Sequence, residues 1–146
     1  MVSRAVRLCG TEQLDPPMRL LKAGHLTAEF DNGALRYIRF GGVEVLRGIA
    51  FLVRDENWGT FAPRMEDLHV DERADGFDLS YTGTCADKAR RLVYRATISG
   101  KADGSLAFDV VADPKTDVLT NRTGFIVLHP IDGVAGHPVK VLHVDG

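Results

Sequence analysis

Residues 26–40, which read LTAEFDNGALRYIRF, decide the fold class of this chain. Their first part alternates apolar and polar side chains, as a β-strand with one buried face does, and an extended pattern resumes at Ala34. Between the two runs, Asp31, Asn32 and Gly33 are residue types that tolerate the positive φ of a tight turn. The stretch therefore predicts an antiparallel β-hairpin.

The residues that follow extend this hairpin into a third strand. Gly41 and Gly42 predict a second tight turn. An extended segment over residues 43–54 comes after it, and Gly48 marks an expected bulge or bend within that segment. We therefore expect three antiparallel strands in a meander over residues 26–54.

Short alternating segments recur between turn residues in the rest of the chain, and none sustains the apolar period of a helix. Further hairpins are predicted around turns at residues 71–76 and 103–104. Residues 123–129 are apolar at nearly every position, which predicts a central strand covered on both faces, and residues 139–144 predict a last strand. Together the segments predict an all-β fold, an antiparallel β-sandwich of roughly nine or ten strands with little helix.

Composition and charge exclude several classes of function. The chain has 146 residues, of which 45% are hydrophobic and 26% charged, so it suits one domain with its own core. A net charge of −2, scattered along the chain, provides no basic face for nucleic acid. No apolar run approaches the roughly 20 residues of a membrane span, and Arg4 and Arg7 stand where a secretory signal would be apolar. We expect a cytoplasmic protein with no nucleic-acid or membrane partner.

The two ends of the chain differ from its middle. Residues 1–25 contain a Pro-Pro pair and no clear period, so we expect a lead-in segment that becomes ordered only near Leu20. Residues 26–146 are expected to form a single β-sandwich domain, and the chain stops as its last predicted strand is completed. The end of the chain is therefore expected to be a cut made at the edge of a domain.

The polar loop at residues 54–60 is the first candidate binding site. It holds Trp58, the only tryptophan of the chain, with Arg54 and Asn57 close to it in sequence. An indole face can stack on the C–H groups of a sugar, while guanidinium and amide groups bond its hydroxyls or a carboxylate. The alternative is that Trp58 plugs one end of the sandwich and the charged residues cap a turn.

Arg122 and His129 are two further candidates. A histidine at a strand end followed by proline is held rigidly, as a general acid or base must be, and Arg122 can clamp an anion. An extended strand separates the two residues by about 23 Å, so they cannot share one small ligand. His129 is therefore only a weak catalytic candidate, and its alternative is a structural histidine hydrogen-bonded to a neighbouring loop.

No metal ion and no cofactor are expected. A group near the C-terminus contains two or three potential metal ligands: His129, His137, His143 and Asp145. Their spacing is unlike that of a structural zinc site, which also prefers cysteines. The two cysteines, Cys9 and Cys85, are expected to be free thiols. The chain has no nucleophile elbow, phosphate loop or Cys/His pair, so its motifs do not predict an enzyme.

Five segments of the chain together resemble one protein family. They are residues 20–24 (LLKAG), 35–47 (LRYIRFGGVEVLR), 57–60 (NWGT), 121–125 (NRTGF) and 128–130 (LHP). In this order they are similar to the N-terminal domain of D-apionate lactonases, bacterial enzymes that open the lactone of an oxidised branched sugar. The strand pattern is also similar, at the level of the fold, to the galactose mutarotase type of β-sandwich.

The resemblance implies a longer parent protein. In such a parent, this β-sandwich would precede a barrel-type domain, which would carry the chemistry, and a further β-domain at the C-terminus. The implied partners are the downstream barrel domain of the same chain and a sugar-acid lactone or related carbohydrate. The resemblance assigns no catalytic residue to this chain.

Three functions remain open on the sequence. The first is an accessory domain, not catalytic by itself, which should expose an apolar patch where it packs on the rest of its parent. The second is a stand-alone carbohydrate-binding module that uses Trp58 with Arg54 and Asn57. The third is a mutarotase-like sugar enzyme, which needs His129 or His143 opposite a carboxylate in a concave pocket.

Overall fold

The structure is a computed structural model, and it describes residues 6, 10, 12 and 18–143. The described residues form nine β-strands: β1 (Arg19–Ala23), β2 (Leu26–Asp31), β3 (Ala34–Phe40), β4 (Val43–Asp55), β5 (Arg64–Arg73), β6 (Gly76–Ala86), β7 (Arg91–Lys101), β8 (Leu106–Pro114) and β9 (Thr120–Leu128). The first sheet has the order β1-β2-β3-β4-β9 and the second β5-β6-β7-β8, and all pairings are antiparallel. The predicted fold class is confirmed.

The hairpin that decides the fold class is present as predicted. β2 and β3 pair directly, and the turn between them places Asn32 at φ 43° and Gly33 at φ 86°. Left-handed backbone at both turn residues matches the twist of the flanking strands. Gly41 and Gly42 form the next turn in the same way, at φ 59° and 85°.

The β5–β6 turn is tighter than the sequence suggests. Strand pairing continues through Asp71 and Arg73, which lie opposite Asp78 and Gly76. The Arg73 guanidinium donates to the carboxylates of both Asp71 and Asp78, so the charges of this segment stabilise the outer face of two paired strands. A run of charged residues therefore continues the strand here instead of ending it.

The core lies between the two sheets and draws on strands of both: Leu21, Ala23, Leu26, Ala28, Phe30, Leu35, Ile38, Val53, Phe77, Leu79, Tyr81, Cys85, Leu92, Tyr94, Ala96 and Ile98 are buried. On most strands these residues fall on alternate positions, because successive side chains point to opposite faces. β3 has an extra residue between Arg36 and Arg39, which sets Leu35 and Ile38 three positions apart. Burial raises the pKa of the Cys85 thiol, which donates to the carbonyl of Phe61 at 3.5 Å. Cys9 lies outside the described residues.

Six aromatic rings form a chain of contacts through this core, in the order Phe30, Tyr81, Tyr94, Phe51, Phe125 and Phe108. Successive ring centroids lie between 4.9 and 6.1 Å apart, in tilted or edge-to-face arrangements. The chain starts in the first sheet, enters the second, returns to the first and ends on β8 of the second. It therefore joins the two sheets along the width of the sandwich.

Three expectations about the strands are wrong. β9 is not a central strand; it pairs with β4 alone and forms an edge of the first sheet. β4 runs through Gly48 without a break, because Gly48 pairs in register with both Arg36 and Leu128. A Cβ at this position would lie 3.2 Å from the Leu35 carbonyl oxygen, so the glycine leaves room for the neighbouring backbone. Residues 139–143 are exposed and form no strand, since no described strand lies beside them as a partner, and residue 144 is outside the described residues.

The lead-in predicted for residues 1–25 includes β1, which begins at Arg19. Most of the residues before it lie outside the described part of the chain. Within the described residues, no helix is long and apolar enough to cross a membrane.

Candidate functional site

The loop that follows β4 is built around the Asp55 side chain. Its Oδ1 accepts hydrogen bonds from the backbone N–H groups of Asn57, at 2.9 Å, and Gly59, at 2.7 Å. The Trp58 N–H donates to the Asp55 carbonyl at 3.1 Å, and the Asp55 N–H donates to the Gly59 carbonyl at 2.9 Å. These bonds hold Trp58 at φ 67°, a left-handed conformation that a bulky residue rarely adopts. An aspartate therefore fixes the only tryptophan of the chain in place.

The Trp58 side chain points to solvent. It is 58% exposed, which contradicts the alternative that it plugs one end of the sandwich. Asn57 is also exposed. Arg54 reaches back along the loop, and its Nη1 donates to the Trp58 carbonyl at 3.0 Å. The loop thus presents an indole ring beside a fixed guanidinium group.

Arg122 joins this loop through strand pairing. It lies directly opposite Arg54 in the β4–β9 register, and the buried Val53 next to Arg54 shows that the arginine faces away from the core. Residues directly opposite each other have Cβ atoms about 4.5–5.5 Å apart, and like charges at such positions repel. Among the described residues, neither guanidinium makes an ion pair with a carboxylate. Arg54 and Arg122 thus form a cross-strand pair of like charges where β4 enters the Trp58 loop.

Strand pairing and the hydrogen bond from Arg54 to the Trp58 carbonyl therefore connect three predicted residues, Arg54, Trp58 and Arg122, here called the arginine–tryptophan site. It suits a ligand with a carboxylate for the paired guanidinium groups and a C–H face for the indole. The sequence singled out each residue but not their proximity, because that proximity depends on the register of two strands far apart in sequence.

Arg90 anchors the Trp58 loop to the loop between β6 and β7. It donates to Asp87 Oδ2 at 2.7 Å and to Glu56 Oε2 at 2.8 Å, and its guanidinium carbon lies 4.7 Å from the centroid of the Phe61 ring. These bonds from Arg90, with the backbone N–H groups of Ala89 and Arg90, lower the pKa of Asp87 to about 2. Short polar contacts thus connect two loops at one end of the sandwich.

His129 lies at the other end of β9. It directly follows Leu128, which pairs with Gly48, whereas Arg122 lies near the start of the strand. Its imidazole is exposed, and no described residue offers it a hydrogen bond or an ion pair. The hydrogen bond to a neighbouring loop that the structural alternative requires is therefore not seen, and no partner for acid–base chemistry is seen either.

A polar groove on the outer face of the second sheet was missed by the sequence reasoning. It has a volume of about 620 Å³ and is lined mainly by polar side chains, including His69, Asp71, Asp78, Ser80, Thr97 and Asp109. The alternating polar positions of β6 and β7 are the sequence signal for it, but such positions equally suit a face in contact with water. Neither His129 nor His143 lines this groove, so the mutarotase-like hypothesis gains no support from it.

No metal site is seen in the described part of the chain. No three His, Cys, Asp or Glu side chains come together there in a way that would hold an ion. His137 and His143 are exposed, and Asp145 lies outside the described residues.

Comparison with known proteins assigns the chain to a family. Residues 6–146 match the family described as "D-apionate lactonase, N-terminal domain". The D-apionate lactonase of Brucella anthropi is 46% identical over 140 residues, which are 95% of this chain and 23% of that protein. The chain thus spans about a quarter of the length of this relative. No solved structure matches the chain significantly. The match covers nearly every residue, and the chain belongs to the D-apionate lactonase N-terminal domain family.

Proposed function

We propose that this chain is the accessory N-terminal domain of a longer hydrolase that opens the lactone of a sugar acid, and that it is not catalytic by itself. One observation carries the proposal. The chain is 46% identical to a D-apionate lactonase over 95% of its own length, yet it spans only 23% of that protein. By analogy with the relative's name, the substrate of the parent is the lactone of D-apionate.

The chemistry of the reaction supports an active site elsewhere in the parent. Opening a lactone requires a base that activates water and donors that stabilise the oxyanion of the intermediate. His129, the one catalytic candidate of this chain, is exposed and makes no hydrogen bond with the described residues. We therefore assign the reacting groups to the remainder of the parent polypeptide, which the family resemblance implies to be barrel-shaped.

An activity comparison tests this proposal. The 146-residue chain and its full-length parent are each assayed with D-apionate lactone, with and without the change His129→Ala. We expect the parent to hydrolyse the lactone and the chain to leave it at the spontaneous rate, with His129→Ala having little effect on the parent. Turnover by the pure chain that His129→Ala abolishes would overturn the non-catalytic role. A parent inactive on every sugar-acid lactone would overturn the lactonase assignment.

Binding of a sugar acid is a second candidate function, favoured by the arginine–tryptophan site. Arg54 and Arg122 lie opposite each other without a carboxylate partner among the described residues. A carboxylate placed between them would relieve their mutual repulsion and accept charge-assisted hydrogen bonds. Trp58 would then cover one face of the sugar backbone. Such a site can act in an isolated module or as one wall of the parent's substrate cleft.

Fluorescence of the single tryptophan tests this second function directly, because Trp58 is the sole source of the signal. The chain is titrated with gluconate and, in parallel, with the neutral polyol sorbitol. We expect gluconate to change the emission and sorbitol to do so more weakly, with Arg122→Ala removing the difference. Arg64→Ala, which removes an exposed arginine outside the site, is the matched control. No response to any sugar acid, or a response that Arg122→Ala leaves intact, would exclude the site.

A further inference from the structure

β9 exposes apolar side chains on both of its faces. Its last four residues are Phe125, Ile126, Val127 and Leu128, here called the β9 surface, and they include no polar residue. Phe125, Val127 and Leu128 are 39%, 48% and 50% exposed. Alternate residues of a strand point to opposite faces, so the exposure affects both sides of the strand. A strand with this composition is expected inside a sheet and covered on both faces, yet it forms an edge here.

The opposite side of the sandwich is protected against further strand pairing, as sheet edges of monomeric proteins are. The edge strands there are β1 and β5, and Arg19 on β1 donates to Glu72 on β5 at 2.7 Å. β5 carries many charged residues, and its pairing is interrupted near Asp67, which has φ 53°. Charges and irregular backbone discourage further strand pairing. The β9 surface has neither charged residues nor irregular backbone between Phe125 and Leu128. One edge of the sandwich is therefore protected against further strand pairing and the other is not.

The core itself is open beside β9. β8 and β9 are the edges of their respective sheets and lie over each other, with the rings of Phe108 and Phe125 5.1 Å apart. Phe108 and Val110 point inwards but are only partly buried. The chain of aromatic contacts thus ends at the surface. Leu119 and Ile131, which flank β9 in sequence, are also exposed, at 73% and 76%.

The shape of this area restricts what can cover it. A second copy that pairs its β9 edge to edge would bond the free backbone groups but leave the side chains above and below the sheet exposed. A partner that covers both an edge and an adjoining face must wrap around β9, as a neighbouring domain or its loops can. The match covers 23% of the relative, so 77% of that protein lies outside the matched region. This remainder is long enough to provide such a partner.

We propose that the β9 surface is the contact face for the remainder of the lactonase polypeptide. This inference rests on the proposed function, in that it requires the chain to be one part of a longer enzyme. The partner surface is apolar opposite Ile126, Val127 and Leu128, and it supplies backbone or side-chain hydrogen bonds to the free edge of β9.

Hydrogen–deuterium exchange read by mass spectrometry tests the inference without any activity measurement. The amides of β9 are followed in the 146-residue chain and in the full-length parent. We expect those amides to exchange slower in the parent by roughly tenfold or more, because a covered strand opens at a higher free energy. The amides of β6, which is central in the chain, should change little.

A matched pair of variants identifies the surface responsible. Val127→Asp places a charge on the β9 surface, and Val43→Asp makes the same change at a valine that is 68% exposed and lies beyond the β4 residues that pair with β9. We expect Val127→Asp to abolish the protection of β9 in the parent and Val43→Asp to preserve it. Circular dichroism of both variants of the chain should be unchanged, since both positions are exposed.

Three outcomes would overturn the inference. Equal exchange of β9 in chain and parent would show that the surface stays uncovered. Protection that Val127→Asp leaves intact would place the contact elsewhere. Protection in the isolated chain that grows with its concentration, together with the mass of a dimer, would assign the surface to a second copy. A parent that lacks lactonase activity but protects β9 would contradict the proposed reaction and leave the contact standing.

Discussion

Gly83 and Tyr94 lie directly opposite each other on β6 and β7, and the tyrosine ring covers the glycine. A Cβ atom at position 83 would lie 2.2 Å from the ring, far closer than atoms can approach. Phe77 covers Gly100 in the same way, with a distance of 2.3 Å. These two glycines therefore leave room for buried aromatic rings and do not form turns.

Gly83→Ala should lower the free energy of unfolding. Tyr94 is only 2% exposed and its ring contacts Phe51 and Tyr81, so it cannot move aside freely. Overpacking of this kind costs about 1–3 kcal/mol. Urea denaturation followed by circular dichroism measures the difference, with Thr82→Ala on the outer face as the control. A Gly83→Ala variant as stable as the native chain would mean that the ring has space to shift.

A hydrogen bond from Tyr81 connects the β2–β3 turn to the core. The Tyr81 hydroxyl donates to the Gly33 carbonyl at 2.7 Å, and burial raises the pKa of Tyr81 and raises that of Tyr94 to about 12. Tyr81→Phe should lower the free energy of unfolding by about 1 kcal/mol, because the partly buried carbonyl loses its donor. The same urea series measures it. An unchanged midpoint would show that water replaces the hydroxyl without cost.

At the scale of elements, polar side chains connect the Trp58 loop to the loop between β6 and β7. Asp55 shapes the Trp58 loop from within, and Arg90 holds it from outside through Glu56 while bonding Asp87 in its own loop. Neither loop has regular secondary structure over its whole length, so these polar contacts, and not strand pairing, hold the two loops in place. The position of Trp58 is thus set by charged side chains of both loops.

Acid should weaken this connection in a defined range. The Asp87 pKa is lowered to about 2, whereas an aspartate in the unfolded chain titrates near pH 4. Because its pKa is lower in the folded state, the ionised Asp87 carboxylate stabilises that state fully above about pH 4. This contribution is lost as the pH falls from about 4 to about 2. Asp87→Asn should therefore reduce the thermal midpoint at pH 6 but have much less effect at pH 2. Asp109→Asn, at an exposed aspartate on β8, is the control for general charge effects. An effect of Asp87→Asn that does not vary with pH would contradict the role of its charge.

The two sheets behave as one unit at the scale of the whole molecule, because they share a single core. The chain of rings passes between the sheets, and the Arg19–Glu72 ion pair joins β1 to β5 at the far edge. Neither sheet can bury its inner face without the other. The open side at β8 and β9 is the exception, and it is the side that the proposed interdomain contact would close.

The chain should therefore unfold in one cooperative transition. Far-ultraviolet circular dichroism reports the strands, and near-ultraviolet circular dichroism reports the packing of tyrosine rings that lie between the sheets. We expect the two signals to change at the same urea concentration, as a two-state transition requires. Separate midpoints would mean that one sheet persists when the other has unfolded.

Much of the local structure followed from the sequence. The hairpins at residues 26–40 and at residues 103–104 were predicted with their turns, because alternation and turn residues act over a few positions. Arg54, Trp58 and Arg122 were each predicted as ligand-binding residues from composition, and that prediction remains untested. Gly48 was predicted to bend its strand and does not, since glycine also serves where another backbone approaches closely.

By itself, the sequence determined most of the strands, the fold class and the family of this protein, because each depends on residue types and their order along the chain. Only the tertiary structure placed β9 at an edge and Arg122 opposite Arg54. The apolar pattern of a strand is the same whether it is covered by its own sheet or by another part of a longer protein. Which strands pair across long separations depends on the packing of the whole chain, and no local pattern encodes it.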